Sequence, residues 1–279
     1  MKIAFVVPEI SKTGGMRIIF EYANSLASKG YDVTLVSPIV PFNPYKGEIN
    51  LHYLKYRVKY ALRFLTGQIQ NPKEYFKTQF KINYILFPIA SLVPSADVYI
   101  ATSWTSSFLV NKLSSGKKYY LVQGYETWGS NTKLVDESYK LNLKKIVVSS
   151  YLQNLINEKF NEPSYKILNG IDFKIFDNAN KEFNEVKTIL FVDSLLEIKN
   201  VKDALYVVNR IQTEYPKIKV KCFGKNKYTA LPEFVEFFEE PSDDIIVKLY
   251  KTSDIFLYTS LNEGFALPPA EAMACKCAV

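Results

Sequence analysis

Histidine is almost missing from this chain: His52 is the only one in 279 residues. That removes most ligand sets for zinc and other transition metals, and leaves one candidate for any histidine-based proton relay. His52 lies in an expected strand, residues 49–54, among apolar neighbours, and reads as structural. Cysteine is scarce too. Cys222, Cys275 and Cys277 are odd in number and confined to the C-terminal half, so they form neither a disulfide framework nor, with His52 so distant, a zinc site. A reducing cytoplasm fits them. No apolar run approaches the ~18 residues that span a bilayer. The strand 3–7 follows Met1-Lys2 directly and is too short and too soon interrupted for a signal peptide. G-x-G-x-x-G is absent, which weakens a dinucleotide-binding reading.

Acidic residues are sparse in one part only. Residues 1–172 hold 21 Lys and Arg against 12 Asp and Glu, a balance of +9, whereas residues 173–279 hold 14 against 16, a balance of −2. The basic excess peaks between Lys55 and Lys81, where Lys55, Arg57, Lys59, Arg63, Lys73, Lys77 and Lys81 face one acid, Glu74. At ~100° per residue, Val58, Leu62, Leu65 and Ile69 share one stripe and Lys55, Lys59 and Arg63 a neighbouring one. Such a stretch, interleaved with Tyr and Phe, suits an anionic membrane surface. It equally suits a solvated helix packed on a sheet, and basic-plus-aromatic character alone also fits single-stranded nucleic acid. No nucleic-acid recognition motif accompanies it, and no nucleic-acid partner is expected.

What is present is a repeated alternation of strands and helices. A chain of this length with 48% hydrophobic residues suggests two domains with packed cores. The strand 2–7, a loop ending in Gly14-Gly15, an amphipathic helix 16–28 stopped at Gly30 and the strand 31–36 form a βαβ unit, hence a parallel sheet. Gly14-Gly15 is either a tight turn or a place where the backbone approaches a ligand. Strands at 97–101, 118–123 and 145–149 open into Thr102-Ser103-Trp104-Thr105-Ser106, Gly124-Tyr125-Glu126-Thr127-Trp128 and the helix 151–160. Ligands of open α/β sheets lie at the carboxyl ends of the strands, so Gln123, Glu126 and Trp104 are candidates for the acceptor side of a site. Glu126 either holds an acceptor hydroxyl or caps a loop. Residues 173–186 read as a polar linker, after which the pattern restarts with strands at 187–193, 218–223 and 234–238.

The most informative stretch is the last, SDIFLYTSLNEGFALPPAEAMACKCAV. A short buried strand leads through Asn262-Glu263-Gly264-Phe265 to a helix opening on Pro268-Pro269, where proline suits the first turn. Unpaired N–H groups and the helix dipole favour an anion there, most naturally a phosphate. Glu263 and Glu271 bracket the site. Carboxylates repel phosphate but accept hydrogen bonds from sugar hydroxyls, and the combination describes a nucleotide sugar.

The spacing of Glu263 and Glu271 resembles the E-x(7)-E motif of retaining GT-B glycosyltransferases, and E-G-F-A-L-P-P-A-E-A-M-A-C resembles family 4 of that class. Tyr165-Lys166-Ile167-Leu168-Asn169-Gly170-Ile171-Asp172 is similar to the V-I-x-N-G-I-D segment joining the two domains of that fold. The resemblance implies an α/β GT-B architecture: two doubly wound, Rossmann-like parallel-sheet domains, 1–172 on the acceptor side and 173–279 for the nucleotide sugar, with a cleft between them and the second domain incomplete. It implies a metal-independent transferase without a cofactor, whose donor is a nucleoside-diphosphate sugar. Glu263 and Lys199 would be catalytic. Gly14, Gly15, Ser194, Lys199, Glu263, Gly264, Phe265, Ala266 and Glu271 would bind the donor, with Glu271 on the ribose. The acceptor would be a glycan or a lipid-linked glycan, in cell-surface polysaccharide synthesis in the cytoplasm or on the inner face of the membrane.

This chain departs from the family in several places. Ser194 stands where Arg is expected and Asp193 where Gly is. No histidine lies near Gln123 or Gly124, Lys276 replaces a glycine, and the chain stops at Val279. These departures favour an alternative, a non-catalytic GT-B-like partner subunit. The early stop leads to two further expectations, a truncated chain or a homo-oligomer that completes the fold.

Overall fold

The computed structural model describes residues 1–40, 42, 76–127, 132–179, 181–225 and 230–279, with positions 55, 58, 59, 62, 66 and 72. His52, Trp128 and most of the basic stretch 55–81 lie outside the described residues. The chain divides into two units, Met1–Asn169 and Gly170–Val279. Among the described residues, no helix is long and apolar enough to cross a membrane.

The first unit is built on a parallel sheet of β1 (Lys2–Val6), β2 (Asp32–Pro38), β3 (Lys81–Ile85), β4 (Val98–Ala101), β5 (Lys117–Val122), β6 (Lys144–Val147) and β7 (Ser164–Lys166). Their order is β3-β2-β1-β4-β5-β6-β7. β1 is central and paired on both sides, Phe5 with Leu35 and with Ile100. Burial on both faces explains its unbroken apolar run, Ile3–Val6, in place of alternation. Reversal of strand order about β1 sends successive crossovers to opposite faces, so the sheet is doubly wound.

The first helix runs Gly14–Ser28, two residues earlier than periodicity predicts, because Thr13 caps it by accepting the Met16 N–H at 3.3 Å. Gly14 and Gly15 are therefore helical, not a turn. Gly30, at φ +85°, supplies the left-handed residue beyond the helix end.

The second unit has β8 (Thr188–Val192), β9 (Lys219–Gly224), β10 (Val235–Glu239) and β11 (Ile255–Phe256), all parallel, in the order β10-β9-β8-β11. β8 shows the period-2 rule: Ile189 and Phe191 enter one apolar cluster with Val201, Ala204 and Val208, while Leu190 enters another with Tyr250, Phe256 and Ala272. Helices therefore cover both faces. Beyond β11, Ala278 pairs with it, donating to Asp254 O and accepting from Phe256 N. Lys276 stands at φ +59°, the left-handed position where a glycine is favoured.

Residues 173–186 are no free linker. Phe173–Phe176 form one helical turn that buries Phe176 to 2% exposure. The Cys275 thiol donates to Phe176 O at 2.9 Å, and Asn178 Nδ2 to Lys251 O at 3.1 Å. Lys181 Nζ caps Cys275 O at 3.1 Å and also meets Ser253 O. Asp254 fastens the far end, accepting from Asn184 N at 3.0 Å and Thr188 N at 2.8 Å. The polar composition misled because these side chains satisfy helix-end carbonyls of the second unit, a tertiary use of polarity.

Candidate active site

Two loops meet at the carboxyl edge of the second sheet. After β8 the chain makes a 3-10 turn, Glu197–Lys199, and Asn200 follows in left-handed geometry at φ 48°. Asparagine tolerates that conformation best after glycine. The loop after β11 docks on this turn: Leu261 N donates to Ile198 O at 2.8 Å, and Thr259 Oγ1 to Lys199 O at 3.1 Å. The result is an ion pair between residues far apart in sequence. Lys199 Nζ lies 2.8 Å from Glu263 Oε1, with side chains 25% and 16% exposed. Low exposure strengthens a charge-assisted bond and fixes its geometry.

A third group joins them. Tyr258 sits beside Glu263, and burial together with the Glu263 charge and hydrogen bond pushes its hydroxyl up to about 12. Tyr258 is absent from the sequence-derived candidates; its only signal is a polar-tipped aromatic at the carboxyl end of a strand. Ser194 Oγ accepts from Leu196 N at 3.2 Å, so this position shapes the turn and carries no cation. Asp193 is buried, and its carbonyl oxygen would lie 2.7 Å from any Cβ at Gly224, so the two strand ends fit only with glycine there.

Gly264, Phe265 and Ala266 lead into the helix Leu267–Ala274, which has Ala266 at its N-cap without a side-chain cap. Pro268 and Pro269 preset the helical φ but carry no N–H. Donors for an anion at this end must therefore come from the backbone of Gly264 to Leu267. Glu271 faces inward, 5% exposed, and takes a hydrogen bond from Tyr250, whose hydroxyl is held well above its ordinary range by burial and then by the Glu271 charge.

Gly14, Gly15, Trp104, Gln123 and Glu126 all belong to the first unit. The Gln123 amide packs against Gly15, where a Cβ would lie 3.6 Å from its Nε2 and Oε1. The Thr102–Ser106 hydroxyls, at the carboxyl end of β4, serve the backbone: Ser103 and Ser106 form a reciprocal capping box on the helix Trp104–Asn111, and Thr102 Oγ1 donates to Val6 O. The Trp104 ring sits edge-on to Phe108 at 6.4 Å. Glu126 caps the same helix, its Oε1 accepting from Trp104 N at 3.0 Å and from the Tyr120 hydroxyl at 3.2 Å. Burial pushes its carboxyl up to about 7, against the opposing pull of those two hydrogen bonds.

Residues 172–279 match the family Glycosyl transferases group 1. The matched residues take in nearly all of the second unit. An uncharacterized glycosyltransferase of Sulfolobus islandicus rod-shaped virus 1 is 29% identical over 164 residues, covering 52% of this chain and 49% of that protein. One from Haemophilus influenzae is 26% identical over 98% of this chain and 78% of its own length. The chain thus matches about half the length of the first relative. The crystal structure of TarM superposes with a TM-score of 0.68 at 13% identity, covering 99% of this chain and 83% of TarM. At that identity the likeness concerns the fold, which is that of GT-B glycosyltransferases. The Lys199–Glu263 pair and the Pro-opened helix lie within the matched residues.

Proposed function

We propose that the protein is a retaining, metal-independent glycosyltransferase that moves a sugar from a nucleoside-diphosphate sugar to a glycan or lipid-linked acceptor in cell-surface polysaccharide synthesis. The observation that supports it most is the Lys199–Glu263 pair beside the Gly264–Ala266 backbone at the carboxyl edge of the sheet. In this reading Glu263 faces the transferred sugar and Glu271 the ribose. Lys199 and the backbone N–H groups of Gly264 to Leu267 stabilise the departing diphosphate as the bond to the anomeric carbon breaks. Charge develops on the leaving group, so preorganised donors there lower the barrier. The departing phosphate itself takes the acceptor's proton, which is why no histidine base is needed. Structures with this fold include a Staphylococcus aureus TarM variant and an α-glucosyltransferase, both in complex with UDP. Gln123, Glu126 and Trp104 are the acceptor-side groups of the proposal.

Release of nucleoside diphosphate with and without acceptor tests it, with a panel of nucleotide sugars as donors. Glu271→Ala is expected to raise the donor KM about tenfold with little change in kcat, since it removes binding shared by ground and transition states. Release that no acceptor stimulates, from any donor, would favour the second reading, a non-catalytic GT-B-like subunit. Ser194 supports that reading, because a residue with no charge stands where relatives have a cation.

A peripheral membrane position through residues 55–81 belongs to the same proposal. Flotation with anionic vesicles is expected to carry the protein, and salt to release it. Replacing Lys55, Lys59 and Arg63 by Gln should weaken binding by about 1 kcal/mol per charge. Equal flotation with neutral vesicles, or none with either, would leave the reading of a solvated basic face.

A further inference from the structure

Glu126 has two oxygens in different situations. Oε1 is saturated, with the Trp104 N–H and the Tyr120 hydroxyl both donating to it. Among the described residues, no group donates to Oε2. The residue as a whole is half-buried, and Oε2 is not among the fully buried polar atoms that lack a partner.

The surroundings hold it rigidly. Tyr120 is fully buried and stacks on Tyr139 at 5.6 Å, with an angle of 7° between the rings. The Tyr139 hydroxyl donates to Gly124 O at 3.1 Å and receives the N–H of Glu126. Tyr125, next in the loop, donates to Asp136 Oδ1 at 2.6 Å and meets Lys159 Nζ. The loop 123–127 is thereby pinned from β5 and from the helices Trp104–Asn111, Thr132–Tyr139 and Ser150–Phe160. Among the described residues, the titratable groups facing Glu126 are Tyr120 and Tyr139. The nearest charged pair on those helices, Asp136 with Lys159, is engaged with Tyr125.

We propose that Glu126 Oε2 is the atom that accepts a hydroxyl of the saccharide acceptor, and that acceptor binding, unlike donor binding, fails in acid. This deepens the transferase reading above and rests on it. The physical reason is a reversal of hydrogen-bond polarity. A carboxylate only accepts, whereas a carboxylic acid donates through its proton. With Oε1 already receiving two donors, the proton that arrives in acid goes to Oε2. The same atom then turns from acceptor to donor, so a saccharide hydroxyl held with its proton towards it must turn round, and the charge-assisted bond is lost. A carboxyl that titrates near 7 makes the change within the physiological range. The neighbouring Gln123 amide, resting on Gly15, offers both a donor and an acceptor to a second hydroxyl.

The probes are methyl α-glucopyranoside, methyl α-mannopyranoside and methyl N-acetylglucosaminide, titrated by saturation-transfer NMR into the full chain. With the wild type, binding at about pH 8 is expected to exceed that at about pH 5.5 by roughly thirtyfold, following the ionised fraction of a carboxyl near 7. Glu126→Gln should bind weakly and equally at both, because its amide keeps the loop bonds but cannot change charge. Its melting temperature, close to wild type, would show that folding is not the cause. Glu126→Asp, which retains a titratable carboxylate, should restore the pH dependence in part. A pH-independent wild type, a Glu126→Gln variant indistinguishable from it, or no binding by any of the three saccharides overturns the inference. Titration of uridine and guanosine diphosphates into the same samples keeps the two readings separate. Loss of nucleotide binding with saccharide binding intact counts against the donor reading alone.

Discussion

Lys199→Ala and Glu263→Gln are each expected to lower turnover by about tenfold or more, the scale of losing one well-placed charged group at a reacting centre. The fold should survive both. The loop that carries Glu263 is tied to the turn that carries Lys199 by Leu261 N to Ile198 O and by Thr259 Oγ1 to Lys199 O, bonds that need neither side chain. What changes is electrostatic. In Lys199→Ala the Glu263 carboxylate keeps its place but loses its cation, and no positive side chain remains at 194 or 199 to receive a diphosphate. In Glu263→Gln the ammonium remains while the carboxylate that faces the sugar is neutral. Because the two groups touch at 2.8 Å, the double variant should lose much less than the product of the single losses. Steady-state kinetics on the three variants, with thermal melts as control, measure this. Unchanged parameters in both single variants would remove these residues from the site.

Phe176→Ala is expected to destabilise the second unit by about 3–5 kcal/mol, the usual cost of removing a buried phenyl ring. Phe173→Ala, three residues earlier and 64% exposed, should stay within about 0.5 kcal/mol of wild type. The contrast isolates burial from helix propensity, since both residues belong to the same turn. Phe176 packs in the cluster with Leu190, Tyr250, Phe256 and Cys275, with its ring 6.3 Å from that of Tyr250. Its loss opens a cavity beneath the helix Leu267–Ala274, which begins at the proposed phosphate site. Urea denaturation followed through the second unit's transition reads the difference. Equal, small effects at both positions would mean that residues 173–176 are a tether after all.

Local chemistry made much of this protein legible in advance. Unbroken apolar strands alternating with amphipathic helices implied parallel sheets, because a strand covered on both faces cannot alternate. The stretch from Asp254 to Ala274 carries its strand, its loop carboxylate and its proline-started helix within one continuous segment, so their relation needed no knowledge of the rest. Lys276 was readable as a strained position for the same reason: left-handed geometry at a helix end is a local demand.

Tertiary contacts decided the remainder. Lys199 and Glu263 are 64 residues apart, and only the adjacency of β8 and β11 in the sheet brings them to 2.8 Å, a pairing that no periodicity encodes. Gly14 and Gly15 looked like a loop because glycine is a poor helix former, yet the Thr13 cap draws them into the first turn. Ser103 and Ser106 stand at the carboxyl end of a strand, where a helix starting at Trp104 claims their hydroxyls for unpaired backbone. Residues 173–186 looked solvated because their side chains are polar, while their partners, the carbonyls of Lys251, Ser253 and Cys275 and the Asp254 carboxylate, lie about seventy residues or more away in sequence. Glu126 is the sharpest case. A glutamate at the end of a strand carries no sign of its titration, because its behaviour near neutral pH arises from the burial of one end of its carboxyl among Tyr120, Trp104 and Tyr139. Desolvation is a property of what surrounds a group, so it exists only once the chain has folded around it.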